Sequence, residues 1–177
     1  MLIAAEKILD FYKLRTQSHI NCVNYFAGLL GYQFPEHDGD KISGLIRTGY
    51  ANIIYAKYHP EFTLTANQRE LYDMAHAEHH KTQPHHLEYY NNDVSRISDM
   101  TLIEMICDWH SASFEQRYIT HEDTIGYSVY DFWATRLHHL GWSPRQQALV
   151  LEMLEFLDTY ARHENILDIW RPLLRDV

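Results

Sequence analysis

Helix starts, more than any other signal, limit what this chain can become. Thr65-Ala66-Asn67-Gln68 places a capping hydroxyl three residues before a glutamine that can reach back to it, the spacing of a capping box. Thr101-Leu102-Ile103-Glu104 repeats that spacing, and Ser143-Pro144-Arg145-Gln146 adds a proline suited to a first helical turn. Strand-like alternation is scarce. Ile8, Leu9, Phe11, Tyr12 and Leu14 instead sit where a helix from Leu2 to about Arg15 would bury them. Ser18 is the expected cap of a second helix, with His19, Cys22, Val23, Phe26 and Leu30 in one stripe and Gly31 as its stop. These signals predict an all-α bundle of about seven helices.

The remaining elements follow the same logic. A helix is expected from Ile42 to about Tyr58, ended by His59-Pro60, and another from Thr65 to about His80. Pro84 is placed to start a further helical turn carrying His85 and His86. Later helices are expected from Tyr127 to about Leu140, after Ser143, and over Ile166 to Leu174 with a bend or break at Pro172. No Gly/Ser linker, low-complexity tract or repeat divides the 177 residues, so they read as a single domain. Its motif-bearing core spans about residues 18–117, and helices over 127–177 complete the bundle.

Charge narrows the partners. With 24 acidic and 15 basic residues, the formal charge of −9 argues against a nucleic-acid polymer and leaves room for a small phosphorylated ligand. No apolar run approaches the ~18 residues of a membrane span. Met1–Ala5 is short, is followed by Glu6 and Lys7, and lacks the basic start of a signal peptide. A cytoplasmic protein without a membrane partner is expected, with Cys22 and Cys107 as reduced core thiols.

Histidine is the excess: the chain has 13. His121 and His163 read as surface residues, and His138 and His139 as packing or surface residues. The others cluster around carboxylates. Glu36-His37-Asp38-Gly39-Asp40-Lys41 offers an imidazole and a carboxylate from adjacent residues, with Lys41 three positions on. Asp73, His76 and His80 share one helix face, whereas His79 projects about a third of a turn away. His85 and His86 follow across Pro84. Taken alone, His19 reads as a buried, hydrogen-bonded histidine. Asp108, flanked by Ile106, Cys107 and Trp109, is divided between a buried ion pair and a ligand role, because an unpartnered carboxylate there costs several kcal/mol.

The series His19, His37-Asp38, His79/His80, His85/His86 and Asp108 resembles the HD superfamily of metal-dependent phosphohydrolases. Ala77-Glu78-His79-His80 with His85-His86-Leu87-Glu88-Tyr89, and the run from Met100 to Trp109, are similar to a poorly characterised HD-like family of bacteria and their phages. The resemblance implies that His19, His37, Asp38 and Asp108 bind a first ion and that Asp38 bridges to a second. One of His79/His80 and one of His85/His86 would hold the second ion or orient a substrate. The assignment carried forward puts His79 and His86 on metal and gives Lys41, His80 and His85 catalytic roles: Lys41 for a phosphate, an unligated histidine for protonating a leaving oxygen.

Mixed imidazole and carboxylate donors suit one or two ions of Mn, Fe, Zn, Ni or Co better than an all-oxygen Mg site. The function so implied is hydrolysis of a small phosphorylated compound, most plausibly a nucleotide, by a metal-activated water. Two alternatives stand beside it: a di-iron oxygenase resembling inositol oxygenase, which also uses four His and two Asp, and a non-catalytic metal-binding module. A homo-oligomer is compatible with all three. Tyr50, Tyr55 and Tyr58 would either stack a base or pack.

Overall fold

The computed structural model describes residues 5–121 and 128–174. They form an all-α domain of seven α-helices, with no strand among the described residues. In chain order these are α1 (Ala5–Leu29), α2 (Gly44–Tyr58), α3 (Ala66–Thr82), α4 (Asp99–Phe114), α5 (Val129–Phe132), α6 (Pro144–Tyr160) and α7 (His163–Leu174). α1 runs through the middle and packs on α2, α4, α6 and α7. One apolar core joins the helices, with Tyr12, Tyr55, Leu102, Met105, Leu154 and Trp170 fully buried in it. Each such side chain stabilises the fold by about 1.5–3 kcal/mol relative to exposure. No described helix is long and apolar enough to cross a membrane.

Several expected boundaries move, each for a physical reason. The two helices expected on either side of Ser18 are one helix. Thr16 and Ser18 are buried in its body rather than capping a start, and no Gly or Pro falls between Ala5 and Ala27. α4 begins earlier than expected, because Ser98 rather than Thr101 is the cap and its side chain accepts from the Thr101 amide. α2 starts at Gly44 after a separate 3-10 turn, Gly39–Ile42. Pro84 opens no helical turn; His86, in extended conformation, caps a 3-10 turn at Leu87–Tyr90 instead. Beyond Phe132 the chain widens into a π turn, Trp133–Leu137, so the helix expected to reach Leu140 is short; Tyr127 lies outside the described residues. α7 starts at His163 and continues through Pro172 without a break. The boxes at Thr65 and Ser143 form as expected.

α2 and α3 approach most closely at Gly49. A Cβ added there would meet Ala75 Cβ at 2.4 Å and the Leu71 carbonyl oxygen at 2.7 Å. The obstacle includes α3 backbone, so no rotamer relieves it. Gly49→Ala therefore sets an overpacking cost of about 1–3 kcal/mol against a helix-propensity gain of about 1 kcal/mol. The expected result is a lower urea midpoint; an unchanged or higher midpoint would mean that the two helices separate there without cost.

A second tie crosses the bundle at its polar interior. Arg15 of α1 and Glu115, in a π turn that follows α4, form a two-pronged ion pair, with Arg15 Nε donating to Glu115 Oε1 at 2.7 Å. Tyr58 of α2 donates its hydroxyl to the same oxygen at 2.6 Å. Tyr55 stacks on His59 with ring centroids 4.0 Å apart, and both Tyr55 and Tyr58 are core residues rather than exposed stacking platforms. Cys22 and Cys107 are free and buried.

Candidate metal centre

The candidate donors come from α1, α3, α4 and the two loops that flank α2 and α3. His19 lies on α1 and Asp108 on α4, near one another because those helices pack together. Asp38 precedes the 3-10 turn in a left-handed conformation (φ 57°), which Asp adopts more readily than most residues. The Asp38 carbonyl accepts from the Lys41 amide at 2.9 Å, closing the turn.

Two sets of donors meet at the Asp38 carboxylate. Oδ2 lies 3.5 Å from His19 Nε2 and 3.9 Å from His37 Nε2. Asp108 Oδ1 completes that side, 3.0 Å from His19 Nε2 and 3.6 Å from His37 Nε2. Oδ1 of Asp38 faces the other way, 3.3 Å from His79 Nε2 and 3.4 Å from His85 Nε2. His86 joins this second set through its Nε2, 2.8 Å from His79 Nε2. One fully buried carboxylate thus has a different imidazole set on each oxygen.

The far side of these rings is held as well. His37 Nδ1 is 2.9 Å from Glu104 Oε1, and His79 Nδ1 is 2.8 Å from Asp40 Oδ2. The same Glu104 oxygen lies 3.5 Å from His85 Nδ1, and Ser111 Oγ lies 3.0 Å from His19 Nδ1. A carboxylate on Nδ1 keeps the proton there and leaves the Nε2 lone pair facing inward, as metal-ligating histidines require.

These residues fit a metal centre on one observation above all. His37 Nε2, Asp38 Oδ1 and His85 Nε2 are buried and have no hydrogen-bond partner. Orphaned buried polar atoms are costly, about 1–3 kcal/mol each, and here they converge. Divalent ions bound there would satisfy them. The donor set, imidazoles with two carboxylates, belongs to borderline transition ions.

Electrostatics keep the two carboxylates charged and His37 protonated at neutral pH, so an ion at its Nε2 would have to displace a proton. Burial alone would raise the Asp38 and Asp108 pKa values, yet both lie well below the ordinary carboxylate range. Lys41 and His37 hold Asp38 down, and His19 and His37 hold Asp108 down. Burial works to lower His37, but Asp38, Asp108 and Glu104 outweigh it and push the ring up to about 10. His19 and His86 go the other way, lowered chiefly by burial.

Lys41 is not directed at open solvent: Nζ donates to Asp38 Oδ2 at 2.9 Å and lies 5.1 Å from the centre of the buried Tyr50 ring. A cation on the His19 side competes with Lys41 for that oxygen. His85 places Nε2 among the inner donors, where a catalytic role outside the ligand set was expected. His80 stays outside them, stacked flat on His86 with centroids 3.8 Å apart. The sequence reading missed Asp40, Glu104 and Ser111. The signal was present on α4, where Glu104, Asp108 and Ser111 follow the i, i+4, i+7 spacing of one helix face.

A model for a family of unknown function, DUF5662, matches residues 9–162, which include every donor named above. The chain belongs to DUF5662. No curated protein and no solved structure matches it. For this DUF5662 member, therefore, chemistry has to be read from the donors themselves.

Glu104 offers a direct check on them, because its one oxygen serves a ring of each set. Glu104→Ala is expected to weaken transition-metal binding about 10–100-fold on both sides of Asp38. Asp40→Ala is expected to weaken the His79 side alone. Competition against a chromophoric chelator distinguishes the two, and equal, unshifted affinities in both variants would contradict the assignment.

Proposed function

We propose that this DUF5662 member is a metal-dependent phosphohydrolase of the HD type, acting on a small phosphorylated compound of the nucleotide class. The observation that carries the reading is the Asp38 carboxylate, whose two oxygens face different imidazoles, with His37 and His85 adjoining one another where the two sets meet. In this reading His19, His37, Asp38 and Asp108 hold one ion, and Asp38, His79, His85 and His86 supply the donors for a second. When bound, such ions supply a water of lowered pKa and offset charge on phosphoryl oxygens. The protein's own part is to orient the rings through Glu104 and Asp40 and to keep the donors out of bulk water.

Lys41, already beside Asp38, is the proposed contact for a phosphate oxygen, a point charge on a flexible stem. His80 is the imidazole left outside the donor sets and is the candidate for proton transfer at the rim. The donors lie buried between helices, His19, His37, Asp38, His79 and His85 all nearly out of solvent, which suits a small ligand rather than a polymer. The net charge of −9 favours the same choice.

Metal analysis of the purified protein, followed by a nucleotide and phosphomonoester screen with added Mn, Fe, Zn, Ni or Co, tests the reading. Expected results are bound transition metal and phosphate release in wild type, and in His37→Ala loss of phosphate release with bound metal reduced to that of the His79 side. A wild type that binds no transition metal, or a His37→Ala variant with unchanged metal, refutes it.

One observation favours a second reading. With His86 set outside the ligands, His19, His37, His79 and His85 with Asp38 and Asp108 make up the four His and two Asp of a di-iron oxygenase of this type. Iron as the bound metal, with oxygen consumed in the presence of a polyol or phosphonate and no phosphate released, would select it.

A further inference from the structure

One cluster of donors lies outside the centre and touches it at a single residue. His80, His86 and Glu88 bring one ligand-capable atom each within 4.8 Å of one another. His80 Nδ1 is 3.1 Å from Glu88 Oε2, yet this buried nitrogen has no aligned hydrogen bond. Glu88 is in solvent, its side chain 53% exposed, whereas His79 on the far side of His86 is 0% exposed. His86 belongs to both clusters, facing His79 through Nε2 and lying on the His80 ring at an interplanar angle of 9°. Glu88, His80, His86 and His79 therefore form an unbroken series of donors from solvent to the buried carboxylate.

The stack decides what such a series can do. An imidazole presents its lone pair in the ring plane, so an ion cannot lie in the planes of two parallel, stacked rings together. His80, His86 and Glu88 are thus not a closed three-ligand site. An ion held by Glu88 and His80 has only two protein ligands, fewer than a structural or catalytic transition-metal site uses, and is released readily. Passage inward would then need the His86 ring to turn from the His80 face toward His79.

We propose that Glu88 and His80 are a loading site for a divalent transition ion, which reaches the buried donors through His86. The proposal rests on the metal-centre reading above. It differs from a packing role for His80, in which the ring merely props His86: loading acts on rate, propping on affinity.

The test uses the full chain, freed of metal by a chelator and mixed with Co(II), while the visible absorption of the liganded ion is followed in time. Glu88→Gln removes the outer carboxylate. His80→Phe keeps a flat ring on His86 and removes its nitrogens. In both variants the rate at which the buried centre fills is expected to fall about tenfold, the lower end of what a complementary entry adds to an on-rate. Final Co(II) content and equilibrium affinity are expected to match wild type. Wild-type filling rates in both variants overturn the loading site and leave the metal centre standing. Affinity that falls along with the rate in His80→Phe identifies a prop and also overturns it. Wild type that takes up no Co(II) removes the metal-centre reading and the loading site together.

Discussion

Asp38→Asn is expected to empty both sides of the centre at once. Asparagine has nearly the same volume and tolerates the left-handed backbone that Asp38 occupies, so the loop has no new strain to relieve. What changes is charge. The anionic oxygens shared by His19 and His37 on one side and His79 and His85 on the other become a neutral amide. Lys41 loses its buried counter-ion in the same step. Bound transition metal should fall from about two ions per chain, the complement of a two-metal site, to near none. His79→Ala, which removes a donor from one side only, should keep an ion on the His19 side. Metal analysis after dialysis reads the difference, and circular dichroism checks that helix content is kept. Wild-type metal content in Asp38→Asn would rule out a shared carboxylate.

The second large effect concerns stability rather than metal content. Glu115→Ala leaves Arg15 as a buried cation without its partner and strips Tyr58 of its acceptor. Breaking a buried pair on one side costs about 3–5 kcal/mol, whereas replacing both partners with apolar residues of similar volume is often near neutral. The single variant should therefore unfold at much lower urea than wild type, and Arg15→Met with Glu115→Leu should recover most of the loss. A Glu115→Ala midpoint close to wild type would show the pair to be dispensable.

The pair also has a pH signature. Burial would raise the Glu115 pKa, but Arg15, then His19 and the Tyr58 hydroxyl, hold it below the ordinary value. A carboxyl whose folded pKa is depressed contributes its full stabilisation above the unfolded value, about 4.3, and loses it as pH falls through the folded value. Wild type should thus lose stability steeply below about pH 4, with Asp38 and Asp108 adding in the same direction. Glu115→Gln should start less stable and show a shallower acid limb in urea titrations across that range.

Much of this molecule was legible residue by residue. Capping at Thr65 and Ser143 located α3 and α6, because a cap is a contact within one turn and needs nothing from the rest of the chain. The stripe His19, Cys22, Val23 and Phe26 marked a buried face for the same reason. The capping spacing at Thr101 misled by three residues, since Ser98 accepts from the Thr101 amide and starts the helix one turn earlier, leaving Thr101 inside it. Ser18 misled in another way: a good cap residue becomes an ordinary helix residue when the chain on both sides is buried in the core.

The donors divide along the same line. Residue type and local spacing brought out His19, His37, Asp38, Asp108 and the paired histidines, since each is unusual in its own neighbourhood. Which member of a pair turns inward was another matter. His79 and His80 are adjacent on α3 and differ by about a third of a turn, so the seating of α3 on α2 makes His79 the buried one and leaves His80 at the rim. Pairings between residues far apart in the chain lay beyond local reading altogether: Glu104 with His37, Ser111 with His19, Glu115 with Arg15. Sequence alone determined the helical class and the stock of donors, because propensity, capping and periodicity act over a few residues. Only the tertiary structure decided that the Asp38 oxygens face opposite imidazole sets, because that depends on how α1, α3 and α4 pack around one turn of chain.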